Sequence, residues 1–129
     1  MFENLDVFRM AHAMAAHAGA RQSVIARNMA HADTPGYAAQ DIPPFNAGKG
    51  PGVGGFQLRA TRPSHLNLPD RAGSFAMIDR PGATADPNGN SVNLETEMVH
   101  AVNTKRQHDR ALAIYRSSLE VLRTAIGQR

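Results

Sequence analysis

The sequence predicts a mainly α fold, in which long N- and C-terminal helices pair as a coiled-coil-like hairpin around an irregular Gly/Pro-rich middle segment. Three observations predict it. Residues 1–33 and 91–129 contain no proline, and their apolar residues recur at helical steps. Residues 42–89 hold 15 Gly and Pro in 48 positions, too many for long helices. The apolar heptad of the last third keeps one phase to its end. The chain of 129 residues is expected to form a single domain: an N-terminal helix over 1–33, an irregular or short-β excursion over 34–90, and a C-terminal helix over 91–129.

The first helix is rich in Ala, Met, Arg and Gln, all good helix formers. Steps of three and four residues pick out Phe8, Ala11, Ala15, Ala18, Gln22, Ile25, Met29 and Ala32, and Val7, Met10, Met14 and Val24 flank that row. The stripe is dominated by small side chains, which lets a partner helix approach closely. Thr34-Pro35-Gly36 ends the helix: Pro35 disfavours helical backbone in the residue before it, and Gly36 supplies a turn.

The middle contains two strand-like runs, Phe56–Ala60 and Phe75–Ile78, which a small hairpin or a loose loop would accommodate. Beyond it the pattern turns helical again and is sharper. Leu94, Met98, Ala101, Lys105, His108, Leu112, Tyr115, Leu119, Leu122 and Ile126 follow steps of four and three, and eight of these ten are apolar. Glu95 and Glu97 near the start and Arg123 near the end suit the helix dipole. Ser91 and Asn93 are both candidate N-caps. Lys105 and His108 in the seam either reach out to solvent or set the helix register. A pair of helices alone leaves a flank without a partner, so the physics asks for neighbouring subunits, and contacts that do not close into a ring generate a filament.

Composition removes several function classes. There is no Cys, hence no thiolate nucleophile, disulfide framework or Cys-based zinc site. The formal net charge of +3 is spread along the chain, with a modest basic patch at Lys105, Arg106 and Arg110. A basic coiled-coil module that binds nucleic acid through the C-terminal helix is the alternative this patch supports, but such modules concentrate positive charge on one face. Gly50–Gly55 matches GxGxxG without the strand before and the helix after that a dinucleotide site needs. The six His residues show no HExxH and no helical ligand pair, and no Ser–His–acid set follows from spacing. No catalytic, metal or cofactor-binding residues, no cofactor, no nucleic acid and no small-molecule substrate are expected. The N-terminus has acids at Glu3 and Asp6 and no basic region or apolar run, so a cleaved signal peptide is not expected.

One segment is more specific. Asn28-Met29-Ala30-His31-Ala32-Asp33-Thr34-Pro35-Gly36-Tyr37 closely resembles the signature of the flagellar axial proteins, the rod, hook and hook-associated subunits, which ends in Thr-Pro-Gly-Tyr. Tyr37–Ile42 followed by Phe45, then Thr61–Leu66, then Asn90–Met98 resemble the proximal-rod class of that family, and the length fits it. Another proximal-rod subunit is the alternative within the family. His31 and Asp33 stand where the family commonly has Asn, and both keep hydrogen-bonding side chains.

The resemblance implies a structural subunit of the flagellar basal body. It would leave the cell through the flagellar type III export apparatus without a cleaved signal peptide. It would pack with copies of itself and other rod proteins above the membrane ring and export gate. There it would build the hollow drive shaft that carries torque across the periplasm. Asn28, Ala30, Ala32, Asp33, Thr34, Pro35, Gly36 and Tyr37 would serve assembly. Phe8, Ala11, Ala15, Ala18, Ile25, Met29, Leu94, Met98, Ala101, Leu112, Tyr115, Leu119, Leu122 and Ile126 would form the helix-packing interface.

Overall fold

The computed structural model of the chain describes residues 2–45, 75–80 and 85–127. Two helices dominate it, α1 over Phe2–Ala30 and α2 over Leu94–Gly127. At 1.5 Å per residue they are about 43 and 51 Å long. They run antiparallel: Asn28 near the end of α1 meets Glu97 in the first turn of α2. Phe8, near the start of α1, packs edge-to-face on Tyr115 with ring centroids 5.1 Å apart. The fold is therefore the mainly α hairpin that the sequence predicts.

The seam between the helices is built from small and polar side chains. On α1 the buried residues Ala11, Ala18 and Ile25 recur every seven positions, and on α2 so do Glu97, Thr104 and Ala111. A seven-residue repeat keeps one line of contact facing the partner along both helices. Ala11, Ala18 and Ala111 bring little bulk, so the backbones can close on one another.

Each helix end has a specific cause. Beyond Ala30 the chain tightens into turns, with His31 N–H donating to the carbonyls of Arg27 and Asn28 at 3.1 and 3.0 Å. Gly36 then takes a left-handed backbone, φ 72°, which residues with a Cβ seldom adopt. At the start of α2, Asn93 is the N-cap: its Oδ1 accepts the Thr96 N–H at 3.1 Å. Ser91, the other candidate, instead accepts the Ala39 N–H on its Oγ at 2.8 Å.

Between the helices lies a two-stranded antiparallel ladder, β1 (Gln40–Asp41) and β2 (Ile78–Asp79), in register Gln40 with Asp79 and Asp41 with Ile78. Ile78 comes from the predicted run Phe75–Ile78. Its partner follows directly on the Thr-Pro-Gly-Tyr turn, where side chains fix the Gln40 backbone. The predicted strand Phe56–Ala60, the Gly50–Gly55 motif and the Thr61–Leu66 segment lie outside the described residues. Among the described residues no helix is long and apolar enough to cross a membrane, and no group of His, Cys, Asp or Glu could hold a metal ion.

Candidate functional site

The turn at the end of α1 rests on a polar knot, and Asn28 is its centre. Its side chain is fully buried. Nδ2 donates to the Gln40 carbonyl at 2.7 Å and to Glu97 Oε2 at 3.2 Å. Oδ1 accepts the Gln40 N–H at 3.1 Å and the Tyr37 hydroxyl at 3.3 Å. A carboxamide offers two donors and two acceptor sites, and this one uses all four. A single side chain thus ties α1, the turn, β1 and α2 together. The Tyr37 ring lies over the His31 ring, centroids 4.6 Å apart and nearly parallel.

Asn90 fastens the same turn from the other half of the chain. Its Nδ2 lies 3.0, 2.6 and 3.0 Å from the carbonyl oxygens of His31, Ala32 and Thr34, and its Oδ1 accepts the Val92 N–H at 2.8 Å. These carbonyls belong to the turn that follows α1, and an amide 56 to 59 residues away fastens them. Gly36 N–H donates to Asn88 O at 3.1 Å and Ser91 N–H to Tyr37 O at 3.1 Å, closing the turn against the segment before α2.

Charge is buried beside the amides. Glu97 is fully buried and forms an ion pair with Arg80, whose Nη1 donates to Oε1. Arg80 Nε lies 3.9 Å from Asp41 Oδ2, and Asp41 receives a two-pronged pair from Arg21 at 2.8 and 2.7 Å. Arg21, Asp41, Arg80 and Glu97 thus alternate in sign from α1 through both strands to α2. A carboxylate taken out of water without a partner costs several kcal/mol, so Arg80 is a condition for burying Glu97. Burial pushes the Asp41 carboxyl up. The Arg21 hydrogen bonds, the Ile42 N–H and the charges of Arg21 and Arg80 outweigh it and hold the group below its ordinary value. Hydrogen bonding to Asp41 raises Arg21, against the cost of burial.

The predicted assembly residues divide by depth. Asn28 is buried and Tyr37 and Ala32 are half-buried, while Ala30, Asp33, Thr34, Pro35 and Gly36 face outward. His31 Nδ1 and Thr34 Oγ1 lie 3.2 Å apart, so the residue at the first departure from the family pattern makes a bond within the turn. Of the predicted packing residues, Ala11, Ala18 and Ile25 are buried. Phe8, Ala15, Met29, Ala101, Leu112, Leu119 and Leu122 are half-buried. Leu94, Met98, Tyr115 and Ile126 are exposed, Ile126 by 75%. Lys105 is exposed and His108 half-buried, with its Nδ1 4.0 Å from Asp109.

Arg21, Asp41, Arg80, Asn90, Ser91 and Glu97 are not among the site residues the sequence singles out. Asp41, Asn90, Ser91 and Glu97 lie within the segments that carry the resemblance, which is the available signal, and Arg21 lies on α1 outside them. Arg80 stands in no pattern.

The arrangement holds two helices and a turn in fixed relation. No family model matches the chain. The chain is 31% identical over 116 residues to the flagellar basal body rod protein FlgB of Agrobacterium fabrum, a match that spans 88% of this chain and 87% of the relative.

Proposed function

The chain belongs to the family of flagellar basal body rod proteins FlgB, and from that premise we propose that its helix pair is the packing unit of a proximal rod that transmits torque. It is a structural component of the flagellar basal body and not an enzyme. In this reading the whole chain acts as one axial domain, packing against copies of itself and against other rod proteins at the base of the rod, by the membrane ring and export gate. It reaches the periplasm through the flagellar type III export apparatus.

The observation that carries the proposal is the division of the motif. Asn28 and Tyr37 hold the turn from beneath, while Asp33, Thr34, Pro35 and Gly36 are displayed outward. A turn held rigidly and shown to solvent is what a repeating contact requires. The exposed Leu94, Met98, Val102 and Ile126 give neighbours apolar surface to cover.

The test is deletion of the gene, electron microscopy of basal bodies, and complementation. Loss of the rod with the membrane ring retained, reversed by the intact gene, is the expected result. Complementation by a Pro35→Ala, Gly36→Ala double variant is expected to fail. Intact rods and normal swimming in the deletion strain would contradict the proposal.

A further inference from the structure

We propose that Asn88 is a site of spontaneous deamidation, held shut while the turn before α2 is folded and open once that turn comes apart, and that its isoaspartyl product cannot rebuild the turn.

Asn88-Gly89 is the one Asn-Gly pair in the chain. The chemistry needs no enzyme. The Gly89 nitrogen attacks the side-chain carbonyl carbon of Asn88. The bond from that carbon to the side-chain nitrogen breaks, and the nitrogen leaves as ammonia with the Gly89 proton. A cyclic succinimide remains. Water then cleaves one of its two ring C–N bonds. Cleavage at the side-chain carbonyl leaves aspartate. Cleavage at the main-chain carbonyl leaves isoaspartate, with the chain now running through the side chain. In sum, one water is taken up and one ammonia released, and nothing is oxidised or reduced. A glycine after the asparagine favours the attack, because no Cβ hinders the approach of its nitrogen and its backbone turns freely. Asn88 and Gly89 are both exposed, so water reaches the pair.

The folded turn opposes the first step at the atoms that step needs. Asp86-Pro87-Asn88-Gly89 forms a β-turn with Pro in second place and Gly in fourth. The Gly89 N–H donates to the Asp86 carbonyl at 2.8 Å, so the attacking nitrogen is held with its proton engaged. Asn88 Oδ1 accepts the Asn90 N–H at 3.0 Å, which ties down the carboxamide under attack. The Asn88 carbonyl accepts the Gly36 N–H at 3.1 Å, and the Asp86 N–H donates to the Asn90 carbonyl at 2.7 Å. Gly36 and Gly89 both have left-handed backbone and lie against each other: a Cβ on Gly89 would meet Gly36 Cα at 3.4 Å. Ring closure must turn the Asn88–Gly89 peptide, which these bonds grip from both sides. The reaction therefore waits for local opening.

The two products differ in what they spare. Aspartate keeps the main chain and an oxygen to accept the Asn90 N–H. Isoaspartate adds a carbon to the main chain and turns the carbonyl that received the Gly36 N–H into a free carboxylate. Gly36 and Gly89 then lose their register. So does Asn90, whose amide fastens the turn after α1. Asn90 supplies an internal comparison. It also precedes a small residue, Ser91, but it is 1% exposed, and its Nδ2 and Oδ1 are both engaged.

The experiment incubates purified full-length chain in mildly alkaline buffer across a urea series. Circular dichroism follows the helices, and peptide mapping by mass spectrometry separates asparagine, aspartate and isoaspartate at positions 88 and 90. Conversion at 88 is expected to rise along the same curve on which the helices are lost. In the folded chain it is expected to be slower by roughly thirtyfold or more, the scale of two hydrogen bonds opened together. Position 90 is expected to lag throughout. A rate at 88 that stays level across the unfolding transition, or no conversion there in urea, would overturn the site. Isoaspartyl chain, separated and refolded, is expected to show a lower urea midpoint than wild type, while Asn88→Asp, with the same charge on an ordinary backbone, keeps the wild-type value. Equal midpoints for the two would overturn the claim that isoaspartate undoes the turn.

Discussion

The two ends of the helix pair are built on opposite plans. Where α1 finishes and α2 begins, Asn28, Asn90 and Glu97 are almost wholly buried, and nearly every polar group has a partner inside the same subunit. At the far end of α2, Ile114, Tyr115, Val121 and Ile126 are exposed, and the inward contact that stands out is Phe8 on Tyr115. Both ends leave apolar surface outside, Leu94 and Met98 beside the knot and Val121 and Ile126 at the far end, but beneath the first lies a hydrogen-bonded interior. The difference teaches that the two ends are set apart by what lies beneath their surfaces, not by the surfaces themselves. A hydrogen-bonded knot is directional and fixes angles, whereas exposed aliphatic side chains are non-directional and suit contact with a neighbour.

The strongest way to break the comparison is to strip the knot of one charge. Arg80→Ala leaves Glu97 buried without its cation and is expected to cost about 3–5 kcal/mol, read as a lower urea midpoint by circular dichroism of the purified subunit. Replacing both partners, Arg80→Met with Glu97→Gln, is expected to recover much of that loss, since no bare charge remains. A double variant as unstable as the single one would mean that packing, not charge, makes Arg80 necessary.

Asn28→Ala comes next. It leaves the Gln40 N–H and carbonyl and one Glu97 oxygen without their shared partner, at a cost of about 1–3 kcal/mol. Loss of the same size from substitutions at the far end would erase the proposed division.

Acid sharpens the comparison. The Asp41 carboxyl sits below its ordinary value in the folded chain. Its contribution is therefore complete above its unfolded pKa, about 3.9, and is lost as pH falls through the lower folded value. Asp41→Asn is expected to flatten this acid limb of the stability curve below about pH 4. A limb of unchanged steepness would remove Asp41 from the account.

The smallest effect on stability is expected at the other end. Val121→Ala and Ile126→Ala should change the free energy of unfolding by no more than about 0.5 kcal/mol, since both side chains already face solvent. The same variants should lower the number of rods counted per cell if that surface is where neighbours pack.

Much of the fold is legible in the sequence, for local reasons. Helices announce themselves through periodicity, and Pro35 and Gly36 mark where α1 must stop. The most buried row of α2, by contrast, runs through Glu97, Thr104 and Ala111, a row with no large apolar side chain. Pattern reading follows large apolar residues such as Leu94 and Met98, which are 44% and 50% exposed in the subunit. Close helix approach favours small side chains, and Glu97 can be buried because Arg80 arrives from 17 residues away. The knot was legible only at Asn28 and Tyr37. Its other members meet across separations of up to 69 residues, and no local pattern records such pairings.

The reach of Asn90 has a further consequence. The carbonyls of the turn after α1 belong to the first third of the chain, yet the amide that covers them lies well past its middle. A chain that breaks off before residue 90 can wind and end the first helix but lacks the amide that fastens the turn after it. The displayed turn is thus a joint product of both halves of the chain, held from one side by Asn28 and from the other by Asn90.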